Sequence, residues 1–233
     1  MTSRRTTAHP GRPHRLLRAA GFAAALGLPV AALALVVRSQ VSPVLVFDEA
    51  AIRAATDATR DNPALYRVLV VWQTAFQATW VNLAVALVCL WAWRRRGLRT
   101  RALWAFVTLI VTWNLGLVVK QIVQRARPLV EDPVAHAPGY SFPSGHATNV
   151  ASAGLTLTLL VWPLLGPRGL VAMPAAVAVV VLLTALDRVY LGAHYPSDVV
   201  GGIVLGTAMA GASYLGYLGW NPPVPRDEPT AGS

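Results

Sequence analysis

The chain alternates long apolar runs with short polar connections. A helix needs about 20 apolar residues to cross a hydrocarbon core roughly 30 Å thick. Six uncharged runs come close to or exceed that length, and they occupy residues 19–37, 68–93, 102–119, 147–167, 169–186 and 199–218. Because a helix satisfies its own backbone hydrogen bonds in lipid, this pattern predicts an all-α integral membrane protein. We expect a six-helix bundle that forms a single domain over residues 19–220.

The connections between the runs also carry predictions of local structure. Residues 48–59 predict a short helix between spans one and two, with acidic residues at its start and Ile52 and alanines on one face. We expect this helix to lie along the membrane surface. The sequence Asp61-Asn62-Pro63 predicts the cap and first turn of the second span. The Pro-rich tail at residues 221–233 is expected to be disordered.

The first apolar run has two interpretations. It follows five arginines within residues 1–18 and contains Ala32-Leu33-Ala34, a spacing of small residues found at signal-peptide cleavage sites. Residues 1–18 are therefore either a basic cytoplasmic segment before a retained span or part of a cleaved signal peptide. The length of the run favours the retained span.

The distribution of charge predicts the orientation of the spans. The formal net charge is +10. With the N-terminus inside, the cytoplasmic connections carry twelve arginines and two acidic residues, whereas the opposite side carries eight basic and eight acidic residues. This contrast follows the positive-inside rule and predicts a plasma-membrane protein with both termini cytoplasmic. Because the basic residues are spread between apolar runs, the pattern does not favour nucleic-acid binding. It gives no indication of oligomeric state.

Three polar clusters fall at the outer ends of spans three to six. The first is Lys120-(x6)-Arg127-Pro128, which follows the third span. Seven residues along a helix return to nearly the same face, so both cations would point to one place. The alternative is that the two side chains only extend to the membrane interface, as basic residues at helix ends do.

The second cluster is Tyr140-Ser141-Phe142-Pro143-Ser144-Gly145-His146, directly before span four, and it would place Ser144 and Gly145 at the helix N-terminus. Backbone N–H groups at a helix N-terminus bind anions, and a glycine there lets a ligand approach the backbone closely. The imidazole of His146 would lie beside the same place and could give a proton. The alternative is a plain helix cap with an interfacial histidine.

The third cluster is Asp187-Arg188-(x5)-His194-(x3)-Asp198, between spans five and six. His194 and Asp198 are four residues apart, which is within contact distance on a helix. An aspartate bonded to one imidazole nitrogen fixes the tautomer and leaves the other nitrogen as a nucleophile. An isolated pair of this kind is more often a structural cap, but the presence of three clusters on one side of the membrane favours catalysis.

Together the clusters suit phosphoryl transfer. They offer cations, a glycine-opened helix terminus and two histidines, which match a phosphomonoester of about −1.5 to −2 charge. Fixed cations can replace the magnesium ion that neutralises phosphate in other enzymes. Within the three clusters only Asp187 and Asp198 supply carboxylates, so the sequence predicts an enzyme without a metal or other cofactor.

In their order and spacing, the three motifs resemble the signature of the type-2 phosphatidic-acid phosphatase superfamily, which vanadium-dependent haloperoxidases share. The motifs span residues 120–198, and the six-span layout resembles the membrane branch of that family. The resemblance implies that His194 attacks phosphorus to form a phosphohistidine, that Asp198 orients His194, and that His146 protonates the leaving oxygen. It also implies that the phosphate is held by Lys120, Arg127, Ser144, Gly145 and Arg188.

One position departs from the family signature. The third motif usually begins with a serine before the arginine, whereas this chain has Asp187. Its carboxylate would either repel the phosphate of the substrate or pair with Arg188 or Arg127 and position a guanidinium. Arg125 and His136 lie in the same outer region but match no motif position, and we expect both to be solvated loop or interface residues.

The implied activity is that of a lipid phosphate phosphatase at the extracytoplasmic face. Candidate substrates are phosphatidic acid, phosphatidylglycerophosphate and a polyprenyl phosphate or pyrophosphate such as undecaprenyl pyrophosphate, with the chains lying between spans. A lipid-linked phosphotransferase of the same chemistry is an alternative, and so is a non-enzymatic transporter or scaffold, which would place charges in mid-span. A haloperoxidase fits poorly, because six spans leave no large soluble domain.

The shortage of carboxylates generates a first prediction. We expect phosphate release from a lipid phosphate to continue at an unchanged rate in excess EDTA, because fixed cations neutralise the phosphate. The measurement is inorganic phosphate released by purified protein in detergent, with and without chelator. Loss of the activity in EDTA and its recovery with added magnesium would contradict the prediction.

Overall fold

The computed structural model describes residues 12–128 and 139–220, which are predominantly helical and contain no strand. The predicted tail at residues 221–233 and His136 lie outside these described residues. The helices are α1 (Arg12–Arg38), α2 (Ser42–Arg60), α3 (Pro63–Ala75), α4 (Ala78–Arg95), α5 (Arg99–Val123), α6 (Gly145–Val161), α7 (Pro167–Tyr190) and α8 (Pro196–Trp220). The prediction of an all-α protein is confirmed.

Five of the described helices, α1 and α5 to α8, are long and apolar enough to cross a membrane. The second predicted span is instead a bent pair, in which α3 and α4 meet at an angle of 47°. At the bend, the rings of Trp72 and Phe76 stack with centroids 4.4 Å apart, and the Trp72 indole donates to the Thr184 hydroxyl of α7 at 3.1 Å. The run at residues 68–93 contains no glycine or proline, so no residue in it marks this break. The count of six spans stays a prediction.

The predicted surface helix is longer than expected. It begins at Ser42 rather than at residue 48, and no acidic residue lies in its first turn, so the predicted acidic start was wrong. Asp48 lies in the middle of α2 and is completely buried. The buried face of α2 packs against α7 and α8, and the Thr59 hydroxyl donates to the carbonyl of Tyr190 at 2.9 Å. This helix therefore covers the end of the bundle where α7 ends and α8 begins.

The predicted helix starts are confirmed at two places. The Asn62 side chain accepts hydrogen bonds from the backbone N–H groups of Ala64 and Leu65 at 3.1 and 3.0 Å, with Pro63 in the first turn of α3. An asparagine in this position satisfies N–H groups that have no partner within the helix. Likewise, α6 begins at Gly145 and Ser144 precedes it as the cap residue.

Close packing of α8 on α6 brings two of the three sequence motifs together. Gly202 and Gly206 lie one turn apart on α8, a spacing that allows two helix backbones to approach in a membrane. A Cβ atom at Gly202 would lie 2.7 Å from the carbonyl oxygen of Ser144, and one at Gly206 would lie 2.4 Å from that of Thr148. As a result the first turns of α6 and α8 touch, and the Ser144 N–H donates to the carbonyl of Asp198 at 2.9 Å.

Candidate active site

The first motif does not lie on a continuous helix. Helix α5 ends at Val123, and Gln124 adopts a left-handed backbone conformation that turns the chain away. Arg127 therefore lies beyond the helix, and the expectation that Lys120 and Arg127 share one helical face was wrong. The turn nevertheless brings Arg127 back within electrostatic range of Lys120.

Both cations of the first motif bind the other two motifs. Lys120 Nζ donates to the carbonyl oxygens of Tyr140 and Ser141 at 2.8 and 3.2 Å. Arg127 Nε donates to the carbonyl of Gly139 at 3.0 Å, and its Nη1 donates to that of Ala193 at 2.8 Å. Their side chains thus hold the segment before α6 and the turn before α8 against the end of α5.

His194 lies in the turn between α7 and α8 and is 4% exposed. Its Nε2 atom lies 3.3 Å from Arg127 Nη1. Its Nδ1 atom lies 3.4 Å from the hydroxyl of Ser141 and 3.7 Å from Asp198 Oδ2. Because a guanidinium can only donate, Nε2 acts as the acceptor and the neutral ring carries its proton on Nδ1, towards the carboxylate.

The environment of His194 keeps its ring neutral. Burial lowers the pKa of His194 to about 4, although the neighbouring carboxylate of Asp198 acts to raise it. At neutral pH Nε2 is therefore unprotonated, on the side away from Asp198. This is the protonation state that a nucleophilic histidine requires.

Asp198 is buried completely and receives several hydrogen bonds. The backbone N–H of Tyr195 donates to Oδ2 at 2.9 Å, and the Ser141 hydroxyl donates to the same oxygen. Ser141 can therefore accept the Nδ1–H of His194 while it donates to Asp198. The sequence analysis assigned no role to Ser141, since the residue precedes the part of the second motif to which a function was given.

The second motif presents two unpartnered polar atoms. Ser144 Oγ and His146 Nε2 are buried and have no hydrogen-bond partner within the described ranges. His146 lies on the first turn of α6, within electrostatic range of Arg188, His194 and Arg127. Buried polar atoms of this kind are uncommon, and both are available to an incoming ligand.

Asp187 pairs with Arg188, which is one of the two alternatives that the sequence left open. Arg188 Nε donates to Asp187 Oδ2 at 2.8 Å, and Nη2 contacts the same oxygen. Nη2 also donates to the side-chain oxygen of Gln73 at 2.9 Å. Gln73 lies on α3 near the bend, and the sequence analysis did not identify it, because a polar residue inside an apolar run carries no local signal of its partner.

The expectation that Arg125 is a solvated loop or interface residue was wrong. Arg125 is 8% exposed, and its guanidinium pairs with Asp198 at 2.6 Å and with Asp48 at 2.7 Å. A periodic signal in the sequence could have identified Asp48. Residues 48, 52, 55, 56 and 59 follow the spacing of one helical face, and the other four are apolar or threonine.

The structure brings all the predicted site residues to one end of the bundle. Across residues 12–128 and 139–220, the histidines and carboxylates form no group of three that could hold a metal ion. The absence of a metal from the reaction remains a prediction.

The fold and the site together define a helical membrane protein with cations, two histidines and a helix N-terminus gathered at the ends of its spans.

Sequence comparison identifies the family. The model of the PAP2 superfamily matches residues 101–221, which is just over half of the chain, and the chain belongs to this superfamily. All three motifs fall within the matched residues. Helices α1 to α4 lie outside them, although α2 and α3 contribute Asp48 and Gln73 to the cluster.

Individual relatives are similar over part of their length. The chain is 35% identical to phosphatidylglycerophosphatase B of Bacillus subtilis (strain 168) over 95 residues, which cover 40% of this chain and 46% of the relative. It is 27% identical to undecaprenyl-diphosphatase BcrC of the same strain over 146 residues, which cover 59% of this chain and 66% of the relative. The chain thus spans about half to two thirds of the length of these curated relatives.

A solved structure shares the fold. The crystal structure of the first transmembrane PAP2 type phosphatidylglycerolphosphate phosphatase from Bacillus subtilis superimposes with a TM-score of 0.73 at 24% sequence identity. The match covers 82% of this chain and 94% of that chain. The likeness therefore extends beyond the family-matched residues into the N-terminal helices.

The environment of His194 generates a prediction about its titration. We expect the ring to remain neutral down to a pH near 4, because burial outweighs the neighbouring carboxylate. Histidine NMR of ¹⁵N-labelled protein in detergent would measure this, with the His194→Gln variant used to assign the signal. A midpoint near 6.5, the value of an exposed imidazole, would contradict the predicted burial.

Proposed function

We propose that this protein is a lipid phosphate phosphatase that hydrolyses a phosphomonoester or pyrophosphate through a phosphohistidine at His194. One observation carries the proposal. Nε2 of His194 lies 3.3 Å from the guanidinium of Arg127, while Nδ1 faces Asp198. The nitrogen that can attack phosphorus therefore lies beside a cation that can hold a phosphate oxygen.

The first chemical step would proceed from this arrangement. Nε2 of His194 forms a bond to phosphorus while the bond to the leaving oxygen breaks, and Asp198 stabilises the positive charge that develops on the ring. His146, protonated on Nε2 as the phosphate anion binds, gives that proton to the leaving oxygen. Its unpartnered Nε2 and its place within electrostatic range of His194 support this role.

The second step would return the enzyme to its starting state. A water molecule attacks phosphorus, His146 takes the proton of that water, and the bond between phosphorus and His194 breaks. Inorganic phosphate leaves, and His194 is again neutral. A lipid or sugar hydroxyl in place of water would give the phosphotransferase reaction, so product analysis separates the two activities.

The phosphate oxygens would be held by Lys120, Arg127 and Arg188 together with the first turn of α6. Asp187 and Gln73 engage Nε and Nη2 of Arg188, and among the described residues this leaves Nη1 for a phosphate oxygen. The Ser144 hydroxyl and the Gly145 N–H would bind at the positive end of the helix dipole. Asp187 reduces the net charge of the site, which would help to release an anionic product.

The lipid part of the substrate would occupy an apolar cavity beside the site. This cavity has a volume of about 390 Å³ and lies between the bent pair α3 and α4 and helices α6 and α7. Its lining includes Phe76 at the bend and Val150, which lies one helical turn from His146. Phosphatidylglycerophosphate and a polyprenyl pyrophosphate are the favoured substrates, because relatives carry the names of the corresponding phosphatases.

The site would lie at the extracytoplasmic face of the plasma membrane. In this arrangement the bundle has six spans, with α3 and α4 acting as one, and both termini are cytoplasmic. Helix α5 starts at the opposite end from Lys120, and there the end of α4, the turn and the start of α5 together carry five arginines, at residues 94–96, 99 and 101. The positive-inside rule places that end in the cytoplasm.

Removal of the nucleophile is the direct test. We expect His194→Ala to lower phosphate release by about 10³-fold or more, as loss of a catalytic nucleophile does. The matched control is His14→Ala, which removes an exposed histidine of α1. The assay uses purified protein in detergent with a panel of lipid monophosphates and pyrophosphates. Near-normal turnover by His194→Ala would exclude His194 as the nucleophile.

The role of the apolar cavity can be tested separately. Ala176 and its neighbour Ala175 are both exposed, but of the two only Ala176 lines the cavity. We expect Ala176→Phe to raise the KM for a long-chain lipid phosphate by about tenfold, because loss of about two buried methylene groups costs that much binding. Ala175→Phe should leave the KM unchanged, and both variants should hydrolyse a soluble aryl phosphate normally. Equal effects of the two variants on the long-chain substrate would contradict this location.

A further inference from the structure

A residue outside the matched family segment is connected to the site by buried charges. Asp48 of α2 is completely buried and lies 77 residues before Arg125. Its Oδ2 accepts from Arg125 Nη2 at 2.7 Å and from the Ser197 hydroxyl, and its Oδ1 accepts from the Ser197 N–H at 3.1 Å. A buried carboxylate is costly unless it is paired in this way.

Arg125 joins this carboxylate to the one beside His194. Its Nη1 donates to Asp198 Oδ1 at 2.6 Å and to the Ser197 hydroxyl at 2.7 Å. Its guanidinium also lies 4.2 Å from the centre of the Tyr195 ring. The planar fork of arginine can contact two carboxylates at once, which the single ammonium group of a lysine does less well.

The two oxygens of Asp198 have separate partners. Oδ1 binds Arg125, whereas Oδ2 lies 3.7 Å from Nδ1 of His194 and accepts from Ser141 and the Tyr195 N–H. A carboxylate group is planar, so the hydrogen bond from Arg125 to Oδ1 limits rotation of the whole group and determines where Oδ2 lies. The position of the Asp198 carboxylate against the imidazole thus depends on Arg125.

Asp48 also sets how much of the arginine charge acts on Asp198. Burial acts to lower the pKa of Arg125, but the carboxylates of Asp198 and Asp48 outweigh it and raise that pKa, so the guanidinium stays charged. With Asp48 present, its negative charge offsets part of this cation. Without Asp48, the positive guanidinium would cancel more of the negative potential that Asp198 exerts on the imidazole.

We propose that Asp48 and Arg125 are positioning residues, in which Asp48 holds Arg125 and Arg125 holds Asp198 in place against His194. Neither residue contacts the nucleophilic nitrogen, and both act through Asp198. The inference rests on the proposed function, because it assigns these residues to the step in which His194 attacks phosphorus. It extends the site beyond the three motifs to α2, which lies outside the family-matched residues.

The first test replaces only the charge of Asp48. We expect Asp48→Asn to lower kcat by about tenfold to a hundredfold, as loss of an outer residue that orients a catalytic group does. The KM should change by less than about twofold. The matched control is Asp57→Asn, which removes an exposed carboxylate of the same helix that pairs with Arg60. The control should retain both parameters. A folded Asp48→Asn protein with normal kcat would overturn the proposal.

The second test separates positioning from the balance of buried charge. The double variant Asp48→Asn, Arg125→Met removes one charge of each sign and leaves no unpaired cation. We expect it to retain a cooperative thermal transition in detergent and to have a kcat as low as that of Asp48→Asn or lower. Recovery of the wild-type kcat would show that Asp48 and Arg125 serve only to neutralise each other's charge, and the proposal would then be wrong.

The same experiment distinguishes this inference from the function on which it rests. If neither the wild type nor Asp57→Asn releases phosphate from any lipid of the panel, the proposed function fails and the positioning role fails with it. If both are active and Asp48→Asn equals them in kcat, only the positioning role fails. A fall in kcat at constant KM, confined to the Asp48 and Arg125 variants, supports it.

Discussion

A completely buried carboxylate must be satisfied by donors, and at Asp198 those donors come from three separate segments of the chain. Its side chain accepts hydrogen bonds from Ser141, Arg125 and the N–H of Tyr195, and its backbone carbonyl accepts one from the N–H of Ser144. The chain segments that carry these donors are far apart in sequence. The need to pair one charge therefore brings the turn after α5, the start of α6 and the start of α8 together, and His194 is held among them.

The same requirement explains why the polar residues lie at helix ends. In the lipid interior, every polar group needs a partner within the protein, whereas the ends of spans offer turns, carbonyl groups and unpaired N–H groups. Arg188 near the end of α7 is paired with Asp187 and Gln73. Glycines on α8 allow the backbones of α6 and α8 to approach closely enough for this arrangement. A transporter with charges in mid-span would show a different distribution.

Much of this organisation could be predicted because its causes are local. An apolar run of sufficient length predicts a span, and Asn62 before Pro63 predicts a helix start, whatever the rest of the chain does. The bend between α3 and α4 could not be predicted, because no glycine or proline marks it and stacking of Trp72 on Phe76 accompanies it instead. Arg125 was assigned to solvent for a similar reason: its partner Asp48 lies 77 residues away, and a charge near a span end usually faces water.

The sequence by itself determined the all-helical class, most of the spans, the membership of the three motifs and the residues available for chemistry, since residue type and spacing are sufficient for these. Only the tertiary structure decided which charges are paired. It placed Arg127 beside His194 after the chain had left α5, joined Asp187 to Arg188 and connected α2 to the site. The physical reason is that an ion pair depends on the distance between two side chains in space, and the packing of distant helices sets that distance.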